Sequence, residues 1–186
     1  DGNDHGMTSF SLFGKTLGVV GLGRIGTLVA TRAEALGMKI IYTDPDERKE
    51  HRVWGRRKFS LLLEEADFLT FHVHLSPETH KMLNQKNIHF LVKRPFIINV
   101  SRAELIERAA LEDLLVSERI RGVAMDAHYE EPNLANSVLY ERNNVFFSPH
   151  VAGSVVEAYE TTILACISNV QRALRGGRVD GSVEAK

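Results

Sequence analysis

The sequence predicts an α/β domain with a doubly wound parallel sheet, and three observations carry that expectation. Short apolar runs alternate with amphipathic helical stretches from end to end. Strands separated by helices pair in parallel through right-handed crossovers. A glycine-rich turn stands at the first strand-to-helix junction. At 186 residues, 44% of them hydrophobic, the chain is long enough for one domain with a sizeable core and short for two.

The elements follow in order. Leu17 to Gly21 reads as a buried strand and Arg24 to Leu36 as a helix, with Ile25, Leu28, Val29, Ala33 and Leu36 on one face. Lys39 to Thr43 is a second strand, ended by the turn signal Asp44-Pro45. Ser60 to Glu65 reads as a short helix, Asp67 to Val73 as a third strand, Asn84 to Leu91 as helical and Pro95 to Asn99 as a fourth strand. Leu111, Leu114 and Leu115 mark a helix before the strand Gly122 to Met125, and Val145 to Phe147 is a last short strand. From Ser154 to Leu174, the residues Val156, Tyr159, Ile163, Ile167, Val170 and Leu174 repeat at steps of three and four. That spacing predicts one helix with a single buried stripe, and Cys166 within it reads as core. The domain is therefore expected over residues 1–186, with its core at about 13–174 and a Gly-containing linker or tail at 175–186.

Composition excludes several classes. The formal charge is −1 with both signs mixed along the chain, so nothing attracts nucleic acid or an anionic membrane. The most basic stretch, Arg48 to Lys58, also holds Glu50 and Trp54 and reads as a solvated loop or helix face. One cysteine forms no intrachain disulfide, and no apolar run reaches the 18 residues or so of a membrane span. The N-terminal segment is polar, so the expected location is the cytoplasm. His72, His74 and His80 lie close together, but no Cys or acidic set completes a metal site there, and none is expected.

Gly21-Leu22-Gly23-Arg24-Ile25-Gly26 matches G-x-G-x-x-G, directly after a strand and opening an amphipathic helix. Gly21 permits the tight turn, Gly23 lets a pyrophosphate approach the backbone, and Gly26 allows close helix–strand packing. The free amides and dipole of the helix start then hold the diphosphate, with Arg24 placed to add a contact. Asp44 stands 18 positions after Gly26, at the end of the second strand. A carboxylate there accepts from the ribose hydroxyls and repels a 2′-phosphate, which favours NAD over NADP. The fold is thus expected to be a Rossmann-type dinucleotide-binding domain. Arg48 and Lys49, close behind Asp44, work against that selectivity.

Three further segments each lie just past the C-terminal end of a strand, where ligands bind in open α/β sheets. They are Asn99-Val100-Ser101-Arg102, Asp126-Ala127-His128-Tyr129-Glu130-Glu131-Pro132 and Ser148-Pro149-His150-Val151-Ala152-Gly153. They bring one arginine, one glutamate and one histidine to one crevice, a set suited to carbonyl reduction. Arginine holds an α-keto carboxylate through forked hydrogen bonds, and histidine supplies the proton that a new alkoxide requires. A neighbouring carboxylate raises the histidine pKa and fixes its tautomer. Ser101 and Ser148 lack a nucleophile-elbow pattern and read as backbone-capping residues, and Tyr129 and Tyr159 as packing.

With these segments in place, the chain resembles the D-isomer-specific 2-hydroxyacid dehydrogenase family from Phe13 to Leu174. The family's N-x-x-R-G appears as Asn99 to Ala103, its D-V-F-x-x-E-P as Asp126 to Pro132, and its T-P-H as Ser148 to His150. The resemblance implies that Arg102 binds substrate, His150 is the acid/base and Glu131 its carboxylate partner. It also implies that Asp126 meets the nicotinamide end of NAD, and that Val73 and Val100 approach the cofactor through the backbone, beside Gly21, Gly23, Arg24, Ile25, Gly26 and Asp44. The implied activity is NAD-dependent interconversion of a small 2-keto acid and a D-2-hydroxy acid, in a homodimer. A second reading, from another class, is an NAD(H)-sensing module like the corepressors that resemble this family.

The sequence departs from the family at a few places. Ala103 replaces the glycine after the arginine, and Glu104 follows in a usually small position. The family's H-x-P-L reads His72-Val73-His74-Leu75, and His128 replaces an aromatic. The family is normally built from two domains, and the substrate domain is expected to lie outside this sequence. The chain alone is therefore expected to bind NAD(H) but turn over slowly or not at all.

Overall fold

A computed structural model describes residues 11–46, 53–130, 139 and 142–180. Among the described residues seven strands form one parallel sheet: β1 (Thr16–Val20), β2 (Lys39–Thr43), β3 (Gly55–Arg56), β4 (Phe68–Phe71), β5 (Phe96–Asn99), β6 (Gly122–Met125) and β7 (Val145–Phe147). Their order is β3-β2-β1-β4-β5-β6-β7. Strand order therefore reverses between β1 and β4, which pair from Leu17↔Phe68 to Val20↔Phe71. This is the switch point at which a doubly wound sheet opens a crevice beyond its strand ends. Among the described residues the α-helices are α1 (Arg24–Ala35), α2 (Phe59–Glu65), α3 (Arg108–Val116) and α4 (Val156–Leu174).

Alternation along β1 divides the core between the two sheet faces. Leu17 and Val19 pack with Ile40, Tyr42, Trp54 and the α1 residues Ala30 and Ala33. Val20 joins the opposite cluster, with Leu62 and Leu63 of α2 and Leu111, Leu114 and Leu115 of α3. Gly18 lies on that second face because α2 leaves no room for more. A Cβ there would stand 3.0 Å from both Ala66 Cβ and Leu62 Cδ2.

Helix α1 buries a different face from the one its large aliphatics mark. Ile25, Leu28 and Leu36 are exposed, whereas Gly26, Ala30 and Ala33 are buried. Close approach to the sheet selects small side chains there, since a Cβ on Gly26 would lie 2.0 Å from the Gly21 carbonyl oxygen. The helix expected at 84–91 is only a 3-10 turn at Ile88–Phe90. Here the Asn84 side-chain Oδ1 accepts from the Lys86 amide at 2.9 Å, and the Asn87 side chain accepts from the Asn84 amide at 2.9 Å and donates to the Met82 carbonyl at 2.7 Å. Asparagine side chains that bond the backbone in this way compete with the helical ladder.

The basic stretch differs from a solvated loop in its described part, 53–58. Trp54 is buried, with its indole N–H donating to Glu34 at 2.9 Å, and β3 extends the sheet edge through Ile41↔Gly55 and Tyr42↔Arg56. Arg48 and Lys49 lie outside the described residues.

The chain divides into two compact units, residues 1–149 and residues 150–186. In the second, α4 carries the expected apolar stripe but buries none of it, and Cys166 is exposed rather than core. Periodicity marks a face suited to burial and is silent on what covers it. The described part of the tail turns back on α4 instead of leading away. Asp180 accepts from Arg172, and its backbone exchanges two bonds of 3.0 Å with the Asn169 side chain. Among the described residues no helix is long and apolar enough to cross a membrane.

Candidate functional site

The glycine turn is held from both sides at the switch point. Gly21 has φ +96°, a left-handed backbone that favours glycine, and its amide donates to the Thr43 carbonyl at 2.8 Å. A Cβ on Gly21 would lie 2.7 Å from Val73 Cγ1 and 2.8 Å from the His72 backbone, so this turn is pressed against the exit of β4. Gly23 is different: a Cβ there would meet nothing within 4 Å. Its missing side chain leaves room on the solvent side, where a ligand would lie. Gly23 is also the N-cap of α1, with no side-chain cap and no acid in the first turn. The helix start therefore carries no side-chain cap of its own for an anion to displace. Arg24 and Ile25 are exposed on the first turn, and Gly26 is buried beneath them.

Asp44 is buried, and both carboxylate oxygens work within the turn. One accepts from the Leu22 amide at 2.7 Å and the other from the Asp46 amide at 2.8 Å. Arg56 donates to the Asp44 carbonyl at 2.9 Å, bringing a cation to the same loop. The carboxylate that sequence spacing assigned to a ribose thus fixes the glycine turn.

Two adjoining cavities line the C-terminal edge. One, about 470 Å³, is bounded by Gly21, Gly23, Asp44, Asp46, Glu78 and Thr79, among others. The other, about 440 Å³, is bounded by Ile25, Leu75, Val100, Ser101 and Arg102. His72, Val73 and His74 line both. The first holds three carboxylates, and the Ser76 hydroxyl, donating to Glu78 at 2.7 Å, lowers the Glu78 pKa from its ordinary value. The second has Arg102 and no carboxylate among its lining residues. The crevice is acidic at one end and basic at the other.

Asn99, at the end of β5, shapes the basic end. Fully buried, its side chain donates to the Arg102 carbonyl at 2.8 Å and accepts from the Ser101 amide at 3.1 Å. The Ser101 hydroxyl donates to the Phe71 carbonyl at 3.0 Å, tying this loop to β4 in the backbone-capping role its sequence context implied. Arg102 is itself exposed, with its guanidinium donating to the Ser101 carbonyl at 2.7 Å. Asp126, past β6, is buried, and its amide donates to the Asn99 carbonyl at 3.0 Å. His150 opens the second unit with φ +56° and is exposed. Glu131 lies outside the described residues.

The sequence places His72 and His74 in the altered H-x-P-L segment at the rim of the site and offers no ligand set that would make them a metal centre. Among the described residues no three His, Cys, Asp or Glu side chains gather to hold a metal. His72 instead pairs with Thr70 Oγ1 at 3.0 Å, and burial lowers its pKa. The His74 carbonyl accepts from Thr79 Oγ1 at 2.6 Å, which shapes the loop after β4. The departure from H-x-P-L was the signal that these residues line the crevice. The half-buried Tyr129, its phenol donating to the Ile106 carbonyl at 2.9 Å under Arg108, has its pKa raised chiefly by desolvation.

The comparisons agree with this geometry. The family model described as "D-isomer specific 2-hydroxyacid dehydrogenase, NAD binding domain" matches residues 2–152. The chain belongs to that family. NAD is the cofactor of this domain, and the Gly23 cradle and Asp44 fit it.

The chain is 38% identical over 169 residues to D-3-phosphoglycerate dehydrogenase of Methanocaldococcus jannaschii, covering 89% of this chain and 32% of that protein. It is 38% identical over 154 residues to glyoxylate reductase of Thermococcus litoralis, covering 81% and 46%. The NAD-complexed D-isomer specific 2-hydroxyacid dehydrogenase of Lactobacillus delbrueckii ssp. bulgaricus superposes with a TM-score of 0.85 at 26% identity, covering 95% of this chain and 58% of that one. The chain thus spans from 32% to 58% of the length of these relatives.

Proposed function

We propose that this chain is the cofactor-binding part of an enzyme that interconverts a small 2-keto acid and its D-2-hydroxy acid. The opposed charge of the two adjoining cavities carries the reading. Asp44, Asp46 and Glu78 at one end suit ribose hydroxyls and repel a 2′-phosphate, while Arg102 at the other attracts a substrate carboxylate. The glycine turn between strand and helix holds the diphosphate through backbone amides, with Arg24 adding a side-chain contact.

When bound, NADH supplies a hydride to the substrate's carbonyl carbon. Arg102 forks onto the carboxylate and polarises the carbonyl. His150, as imidazolium, gives its proton to the carbonyl oxygen as negative charge develops there, so a neutral hydroxyl forms; in the reverse direction it takes that proton. Glu131 favours the charged imidazole and sets its orientation. Asp126 accepts from the carboxamide at the nicotinamide end, and Val73 and Val100 close on the cofactor through their backbone.

In this reading the complete enzyme is a homodimer whose substrate domain excludes water, and the chain alone turns over slowly or not at all. The test is a parallel titration with NADH and NADPH, followed by Trp54 emission, then assays with glyoxylate and hydroxypyruvate. Saturable NADH binding, much weaker NADPH binding and little turnover are expected. Full activity of the chain by itself would overturn the incomplete-site reading, and a folded chain that ignores NADH would overturn the whole of it.

A further inference from the structure

Ser148 is bonded to three residues of the segment that leaves β6. Its amide donates to the Met125 carbonyl at 3.0 Å, and its hydroxyl donates to Asp126 Oδ1 at 2.6 Å. Its carbonyl lies 2.9 Å from His128 Nε2. A carbonyl oxygen only accepts, so that ring nitrogen carries the hydrogen and donates. His128 is itself buried and stacked on Phe147, with ring centroids 5.2 Å apart. One serine therefore pins the exit of β7 to three of the four residues from 125 to 128.

The clamp has a chemical purpose at Asp126. A carboxylate that is only 3% exposed is costly unless donors meet it, and a short hydroxyl-to-carboxylate bond is the strong kind. Because Ser148 Oγ takes Oδ1, the carboxylate plane is fixed relative to the strand ends rather than free to rotate. The same residue stands two positions before His150 in the sequence.

We infer that Ser148, braced by His128, is a positioning residue that aims the Asp126 carboxylate at the nicotinamide end of the cofactor. The inference rests on the assignment of Asp126 made under the proposed function. It also explains the departure at His128, where a plain aromatic would stack on Phe147 but could not hold the Ser148 carbonyl.

Paired titrations with NADH and with ADP-ribose, which lacks the nicotinamide, test it on the folded chain without any turnover. Ser148→Ala is expected to weaken NADH about tenfold, as for a lost bond to a charged group, while ADP-ribose binding holds within about twofold. Ser148→Thr restores the hydroxyl and is expected to restore NADH. His128→Phe keeps the stacking and loses the donor, and should shift NADH in the same direction by less; it decides the matter should Ser148→Ala fail to fold. Equal weakening of both ligands, no change in either, or no rescue by threonine overturns the inference. Asp126→Asn separates the two claims. If it spares ADP-ribose and weakens NADH while Ser148→Ala does not, the clamp alone is wrong. If it treats both ligands alike, the assignment of Asp126 falls and takes the clamp with it.

Discussion

Two alanine substitutions three residues apart, Gly23→Ala and Gly26→Ala, are expected to fail in opposite ways. At Gly23 the backbone has φ −77° and ψ −166°, open to any residue, and a Cβ would meet nothing within 4 Å. Alanine there costs up to about 1 kcal/mol as a poorer N-cap and recovers about 0.4–1 kcal/mol by restricting the unfolded chain. The melting temperature should stay within about 2 °C of wild type. NADH binding should nevertheless collapse, because the new methyl occupies the side from which the diphosphate approaches. At Gly26 the Cβ would lie 2.0 Å from the Gly21 carbonyl oxygen. Helix and turn must part by about 1 Å or more to relieve that contact, an overpacking cost of about 3 kcal/mol or above. Thermal melts read by circular dichroism, beside NADH titration, distinguish the two. A Gly23→Ala protein that binds NADH normally would refute the placement of the diphosphate. A Gly26→Ala protein of undiminished stability would refute the close packing of α1 on β1.

Asp44→Ala should lose both NADH binding and about 1–3 kcal/mol of stability, since the Leu22 amide forfeits its 2.7 Å acceptor. It should not convert the chain to NADPH, because Asp46 and Glu78 still line that cavity; paired titrations and melts check both points. Burial lowers the His72 pKa from 6.5, so the unfolded chain binds a proton more readily than the folded one. Its contribution to stability is full above pH 6.5 and is lost as pH falls through the lowered folded value; melts across that window should show a shallower acid loss for His72→Gln. Tyr129→Phe removes a half-buried donor to the Ile106 carbonyl and should cost about 1 kcal/mol, seen as a shift in the urea midpoint with an unchanged slope.

Sequence was most legible where a backbone constraint leaves few residue choices. The glycine turn is such a place, because Gly21 needs a left-handed φ and Gly26 sits against a carbonyl, and neither tolerates a substitute. The parallel order of strands was equally readable from their alternation with helices. The α1 face was misread because patterning weighs large aliphatics, whereas here the close contact is made by Gly26, Ala30 and Ala33. The short β3 edge strand escaped because two residues, Gly55–Arg56, carry no period. The clamp on Asp126 escaped for another reason. Ser148 and His128 lie 20 positions apart, and only the pairing of β6 with β7 brings them together.

That pairing bears on how this site keeps its shape. The acidic end is braced by Asp44, which joins the exit of β2 to the turn after β1. The basic end is braced by Asn99, whose side chain holds the Arg102 loop and whose carbonyl takes the Asp126 amide. Ser148 then carries the chain of contacts from β6 to β7. Each brace is a polar side chain, buried at Asp44 and Asn99 and half-buried at Ser148, and each crosses from one strand end to the next or to the loop beyond it. Hydrogen bonds of this kind are costly to leave half-made, so each brace favours one arrangement of the crevice over many near alternatives. A cofactor meeting such an edge pays little to organise it, and its binding energy is left for orienting the nicotinamide and the bound acid.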